Sequence, residues 1–244
     1  ELAENTTLSF QGTLDNYRFL FEDDLYWVSY LNSVKVAAIS TIICLLIGYP
    51  MGYGIACAKG GIRGLLLLLV ILPFWTSFLL RVYAWMGMLS THGVINSFLI
   101  NIGLINQPLK LLYTDLAVYI GIVYTYLPFM ILPLYANLER LDVTLNEAAA
   151  DLGSRPLRTF IDITLPMSLP GIVAGSLLVF IPALGEFVIP ALLGGLDSLM
   201  IGRTLYDEFF QNRDWPLASA VATVLLLILV IPIMIFQKYR SEQV

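Results

Sequence analysis

Residues 147–166, EAAADLGSRPLRTFIDITLP, carry Glu147, Asp151, Arg155, Arg158 and Asp162 between two strongly apolar flanks. Carboxylates and guanidiniums at such spacing make ion pairs and hydrogen bonds, which is the chemistry of a contact surface. A second candidate is Glu186, in FIPALGEFVIPALL. An ionised carboxylate among apolar residues is costly, so it must face a bundle interior or a watery path. It reads either as a contact for a cation or as a structural partner of Arg81. Aromatic residues cluster in Phe74-Trp75, Tyr83-Ala84-Trp85 and Tyr124-Thr125-Tyr126. A ring face attracts an organic ammonium by ~0.5–2 kcal/mol, and the same rings also serve as interface anchors near span ends. Trp75, Tyr83, Trp85, Tyr124 and Tyr126 therefore join Glu186 as candidates for a cation pathway. Bond-making chemistry has little to work with. His92 is the single histidine, Cys44 and Cys57 lie in one apolar segment as small packing residues, and no G-x-x-x-x-G-K-[ST] loop occurs.

These residues need elements to hold them. Thr144 followed by Glu147 predicts a capping box at the start of a helix, and Glu147-Ala148-Ala149-Ala150 favours its continuation. Gly153 supplies the left-handed position that stops it. Ser154 is then expected to cap a second short helix with Pro156 in its first turn, and Pro166 to end it.

The rest of the chain is apolar. Of 244 residues 58% are hydrophobic and 13% charged, with mean hydropathy +0.81; a soluble domain carries about twice that charge, roughly 25%. The composition therefore predicts an integral membrane protein. The formal net charge of −5 argues against a nucleic-acid partner. Five apolar runs, 34–58, 65–89, 116–138, 169–193 and 217–236, reach the ~20 residues a helix needs to cross the hydrocarbon core. Helices are expected because every backbone polar group must be satisfied within the segment. The fold class is all-α, one polytopic helical bundle over residues 1–244. Residues 1–33 form an outer segment, 34–138 the first three spans, 139–168 an inner loop, 169–236 the last two spans, and 237–244 an inner tail. Outer connections 90–115 and 194–216 each carry a short helix, the latter with an Arg203–Asp207 pair. Gly48, Gly52 and Gly54 permit close helix approach, and Pro50, Pro73, Pro128, Pro133 and Pro182 interrupt helices.

Basic residues set the orientation. Lys59, Arg63, Arg140, Arg155, Arg158, Lys238 and Arg240 crowd the short connections of one side, which is therefore cytoplasmic. Arg18, Lys110, Arg203 and Arg213 are spread over the other. That side also holds eleven acids, enough either to enrich cations or simply to complement a positive interior. The first residue then lies outside, and without Met or a leader-like run a further span upstream is expected.

Glu147, Ala148, Ala149, Gly153, Ile163, Leu165 and Pro166 fall at E-A-A-x3-G-x9-I-x-L-P. That pattern resembles the cytoplasmic coupling loop of bacterial ABC importer permease subunits, whose helix docks into a cleft on a separate ATPase. Longer runs extend the likeness: ILPFWTSFLLRVYAWMG at 71–87, LAVYIGIVYTYLPFMILPLY at 116–135, GEFVIPALLGG at 185–195 and IGRTLYDEFFQNRDWP at 201–216 are similar to polyamine importer permeases, the putrescine type above all. The resemblance implies a MetI-like fold in the bacterial inner membrane. It implies a heterodimer with a second permease subunit, two ATPase subunits and a periplasmic polyamine-binding protein. It makes Glu147, Ala148, Ala149, Asp151, Gly153, Arg155, Arg158 and Pro166 the ATPase-coupling residues, and assigns Asp207 and Glu208 to binding-protein docking. No cofactor is expected in this chain; ATP and Mg belong to the partner ATPase. A solute other than a polyamine, an uncoupled channel or scaffold, and an intramembrane enzyme are the competing expectations.

Overall fold

A computed structural model describes residues 14–195 and 198–241, with the backbone alone for Val143 and for 231–232 and 235–241. The expected outer residues 1–13, Asp197, and the basic side chains of Lys238 and Arg240 lie outside the described residues. The described chain is helical throughout its regular elements. In order these are α1 (Asp15–Glu22), α2 (Asp24–Cys57), α3 (Gly61–Ile71), α4 (Phe78–Leu89), α5 (Val94–Asn101), α6 (Asp115–Leu138) and α7 (Val143–Asp151). Then follow α8 (Pro156–Thr159), α9 (Leu165–Met167), α10 (Leu169–Leu184), α11 (Val188–Leu193), α12 (Ile201–Tyr206) and α13 (Trp215–Ser241).

Helices α2, α6 and α10 pack on one another as the centre of the bundle. Glycines let them meet: a Cβ on Gly48 would lie 2.9 Å from Met130 Cγ, and one on Gly175 would lie 2.8 Å from Met130 Sδ. Met130 thus fills the gap between two glycine faces, a place for an unbranched, adaptable side chain. Gly52 also abuts α6, whereas Gly54 has open space beside it and does not belong to the packed face. The main core gathers Val36, Ala37, Val82, Leu89, Val118, Ile122, Leu184, Ile189 and Leu193 where α2, α4, α6, α10 and α11 converge.

The five apolar runs do not become five straight rods. Helices α2 and α6 are each long and apolar enough to cross a bilayer. The second run is broken: Leu72–Trp75 tightens into a 3₁₀ turn, and Gly61–Trp75 meets Phe78–Asn101 at 92°. The fourth run stops at Leu184 and restarts at Val188, so α10 and α11 are separate helices around Glu186. The loop segment Pro156–Met167 meets α10 at 63°. The fifth run is apolar over Trp215–Val230. Pro73 sits in the 3₁₀ turn, but Pro50, Pro128, Pro133 and Pro182 lie inside continuous helices rather than ending them. The two cysteines differ: Cys44 is buried, while Cys57 is exposed and does not pack.

The connection between α4 and α6 carries the expected short helix, α5. It is held by Asn96, buried, whose amide donates to the Leu109 carbonyl at 2.9 Å and accepts from the Leu109 N–H at 2.9 Å. Among the described residues no strand occurs.

Candidate functional site

The elbow between α6 and α10 is built by backbone rules at each corner. Helix α7 begins two residues earlier than a Thr144 cap would place it. Asp142 is the cap, its carboxylate accepting from the Thr144 N–H at 3.0 Å. That bond holds the Asp142 carboxyl below its usual range. Aspartate caps a helix at least as well as threonine, so the acid upstream takes the position. The other end follows expectation. Gly153 has φ +80°, the Gly153 N–H donates to the Ala150 carbonyl at 2.9 Å, and the Ser154 N–H donates to the Ala149 carbonyl at 2.9 Å. This paired closure is a Schellman motif, and a Cβ at Gly153 would be strained in it.

Arg155, not Ser154, occupies the cap of α8, its carbonyl accepting from Arg158 and Thr159 while Pro156 takes the first turn. Ser154 instead accepts a hydrogen bond from the Thr159 hydroxyl at 3.0 Å. Nor does Pro166 end the segment. Phe160–Thr164 widens into a π turn, α9 runs through Pro166, and the bend comes at Ser168.

The elbow is tied to α2. Phe160 packs edge-on against Tyr49 at 5.6 Å and Tyr53 at 6.2 Å. The Tyr49 hydroxyl lies 2.9 Å from the hydroxyl of buried Ser168. A second tie lies at the base. Arg63 donates to the Ala56 and Ala58 carbonyls at the end of α2 and to Glu139, which follows α6, at 2.6 Å. These ties were not foreseen, because their partners lie far apart in the chain.

The predicted coupling residues divide. Ala149 is buried under the elbow; Glu147, Ala148, Asp151, Gly153, Arg155, Arg158 and Pro166 are exposed. Arg158 pairs with Asp162 at 3.2 Å, an exposed i,i+4 pair of little energetic weight. Among the described residues Glu147 and Asp151 make no side-chain hydrogen bond, so they do not hold the loop's shape. Around them Leu152 is 89% and Leu157 71% exposed. Apolar tips ringed by unpaired charge make a surface suited to a protein partner.

The pathway candidates separate into three groups. Glu186 is buried at the break between α10 and α11. One carboxylate oxygen accepts from the Tyr126 hydroxyl at 2.5 Å. The other accepts from the N–H groups of Phe187 at 3.1 Å, Val188 at 3.0 Å and Ile189 at 3.4 Å. A carboxylate so placed satisfies the orphan donors at the start of α11 and complements its dipole. Among the described residues Glu186 is held by Tyr126 and backbone N–H groups rather than by Arg81. Trp85 and Tyr124 form an edge-on pair at 5.4 Å. Trp75, in the 3₁₀ turn before α4, and Tyr83, on α4, are 80% and 51% exposed.

The assigned docking acids are engaged within the chain. Glu208 accepts from the Tyr26 hydroxyl at 2.8 Å and from the Asn212 amide at 2.9 Å. Asp207 accepts from Gln211 at 2.5 Å and lies 4.0 Å from Arg203, at the limit of an ion pair. Other acids of that end also serve structure: Asp23 caps α2, and Asp115 accepts from Ser198 at 2.5 Å. Beside them Phe187 stacks on Tyr206 at 5.0 Å, and Tyr206 meets Phe210 at 4.8 Å, an exposed aromatic run that spacing alone did not reveal.

A helical bundle of broken apolar spans with a charged, exposed elbow defines a polytopic membrane protein. Residues 48–241 match the family described as the binding-protein-dependent transport system inner membrane component, and the chain belongs to that family. It is 44% identical over 226 residues to the spermidine/putrescine transport system permease protein PotB of Escherichia coli (strain K12), covering 93% of this chain and 82% of that protein. The Haemophilus influenzae PotB is 44% identical over 235 residues, covering 96% and 81%. The molybdenum transport system permease protein ModB of Mycobacterium bovis is 33% identical over 204 residues, covering 82% and 74%. The fold is shared with the crystal structure of a bacterial ABC transporter involved in the import of the acidic polysaccharide alginate, with TM-score 0.72 at 19% identity, covering 94% of this chain and 85% of that one.

Proposed function

We propose that this chain is a permease subunit of an ATP-driven polyamine importer in the bacterial inner membrane. It forms half of the translocation pathway beside a second permease subunit. The observation that carries this reading is the 44% identity to the spermidine/putrescine permease over 93% of the chain. The elbow geometry supports its mechanical half. The exposed helix α7, the Schellman turn at Gly153 and the unpaired Glu147 and Asp151 present a rigid knuckle to a cytoplasmic ATPase. ATP and Mg act on that subunit; two copies serve the heterodimer, and a periplasmic polyamine-binding protein delivers substrate. Closure of the ATPase pair moves the knuckle, and the ties from Phe160 and Ser168 to Tyr49 pass the motion to α2.

The test is uptake of labelled putrescine and spermidine by the assembled complex in vesicles. ATP-dependent accumulation of either, competed by the other and not by molybdate, is the expected result. Molybdate uptake in its place favours the second reading, an importer for another solute, which the ModB relative keeps open. Transport that persists without any ATPase subunit overturns the coupled mechanism.

A further inference from the structure

Helix α12 is held on two sides, and the two sides are made differently. Toward α2 the contact is polar. The Asn32 amide donates to the Leu199 carbonyl at 2.7 Å, and the Ile201 N–H donates to the Ser33 hydroxyl at 2.7 Å. The Thr204 hydroxyl donates to that of Ser29 at 3.3 Å, and just past the helix Glu208 accepts from Tyr26. Ser29 and Ser33 are fully buried. Pulling α12 away from α2 would leave these groups without partners, at the desolvation cost of each. Ile201 adds apolar contact, buried with Tyr26 and Tyr30 of α2 and Val221 of α13.

Toward the break at Glu186 the contact is steric and aromatic. Gly202 lies directly on the backbone there: a Cβ on it would run into the Gly185 carbonyl and stand 2.7 Å from the Glu186 carbonyl oxygen. Tyr206 stacks on Phe187 at 5.0 Å, with the ring planes 11° apart. Buried Met200 belongs to the same core as Leu184 and Ile189. Among the described residues no hydrogen bond joins 200–211 to 184–190. A seam of glycine, stacked rings and an adaptable methionine can shear without parting a hydrogen bond.

We propose that α12 and the end of α2 bearing Tyr26 to Ser33 move as one body during transport, and that the seam between α12 and the Glu186 break is the one that shifts. Helix α12 is then the movable cover of that break. The inference rests on the importer reading above and adds to it the joint at which the bundle opens. Motion entering α2 at Tyr49 has sixteen residues, about 24 Å of continuous helix, to travel before it reaches Ser33 and so α12.

The experiment places two cysteine pairs in the assembled complex, each in a chain carrying Cys44→Ala and Cys57→Ser. Ser29→Cys with Thr204→Cys, oxidised to a disulfide, pins α12 to α2. Phe187→Cys with Tyr206→Cys, joined by a short bis-methanethiosulfonate, pins α12 to the break. Uptake is measured before bridging, after it and after reduction, so each variant is its own control for folding. The first bridge is expected to leave uptake within about twofold, and the second to lower it at least about tenfold until reductant restores it. A first bridge that abolishes uptake, or a second that leaves it intact, overturns the proposal. A wild-type complex that accumulates neither a polyamine nor any other solute overturns the importer reading instead, before any bridge is made.

Discussion

The elbow at 139–168 and the break at Glu186 are both places where a helix stops and another starts, yet they are built in opposite ways. At the elbow the turn is closed by backbone alone, Gly153 at φ +80° with two carbonyls of α7 accepting, and the nearby charged side chains stay unengaged. At the break a single side chain closes the turn, the Glu186 carboxylate binding three N–H groups and the Tyr126 hydroxyl. Water explains the contrast. A loop in water can leave Glu147 and Asp151 solvated and available to a partner, whereas a break among apolar helices must find every donor an acceptor within the chain.

The sharpest way to test that contrast is Gly153→Asp. A non-glycine residue in the left-handed region costs about 1–3 kcal/mol locally. On the proposed docking role of the elbow, the expected loss is in function: ATP-coupled uptake falls at least about tenfold in a complex that still assembles. Normal uptake by that variant would break the comparison at the elbow. Glu186→Ala comes next. It leaves three N–H groups and a phenol without their acceptor, and the thermal midpoint of the complex is expected to drop by the equivalent of about 3 kcal/mol. Glu186→Gln separates structure from substrate: stability falls while the KM for putrescine stays put. A raised KM with unchanged stability would instead assign Glu186 the cation-contact role. Tyr126→Phe is expected to cost about 1–2 kcal/mol in the same melt, since one carboxylate oxygen loses its donor.

The smallest effect is at Asp142. Its carboxyl sits below the ordinary value because the ionised form accepts from Thr144. A lowered pKa means that the cap stabilises α7 above the unfolded-state pKa and is lost as pH falls through the folded one. Protease protection of 139–168 should therefore weaken in acid, and Asp142→Asn should remove that pH dependence while keeping a cap.

Legibility along the chain followed locality. Gly153 was readable because one residue with one steric freedom decides the turn. The helix-rich, membrane-spanning character was readable from composition. The cap fell on Asp142 instead of Thr144 because two good capping residues compete within three positions. Pro73 marked an interruption, and the break comes just past it near Thr76, but nothing local to the run gave its 92° angle. Tyr126 and Glu186 are sixty residues apart, and spacing gives no clue that they meet. The Arg81–Glu186 alternative failed for the same reason, since Tyr126 and the start of α11 already occupy both carboxylate oxygens.

One modest contact at the base of the bundle deserves its mechanical reading. Arg63 grips the last carbonyls of α2 and the Glu139 carboxylate beyond α6 with the same guanidinium. Two of the three central helices are thereby yoked at one end, like paired oars lashed at the handle. Under the ATPase coupling proposed above, torque delivered just past Glu139 would swing the two together, so both would share the stroke.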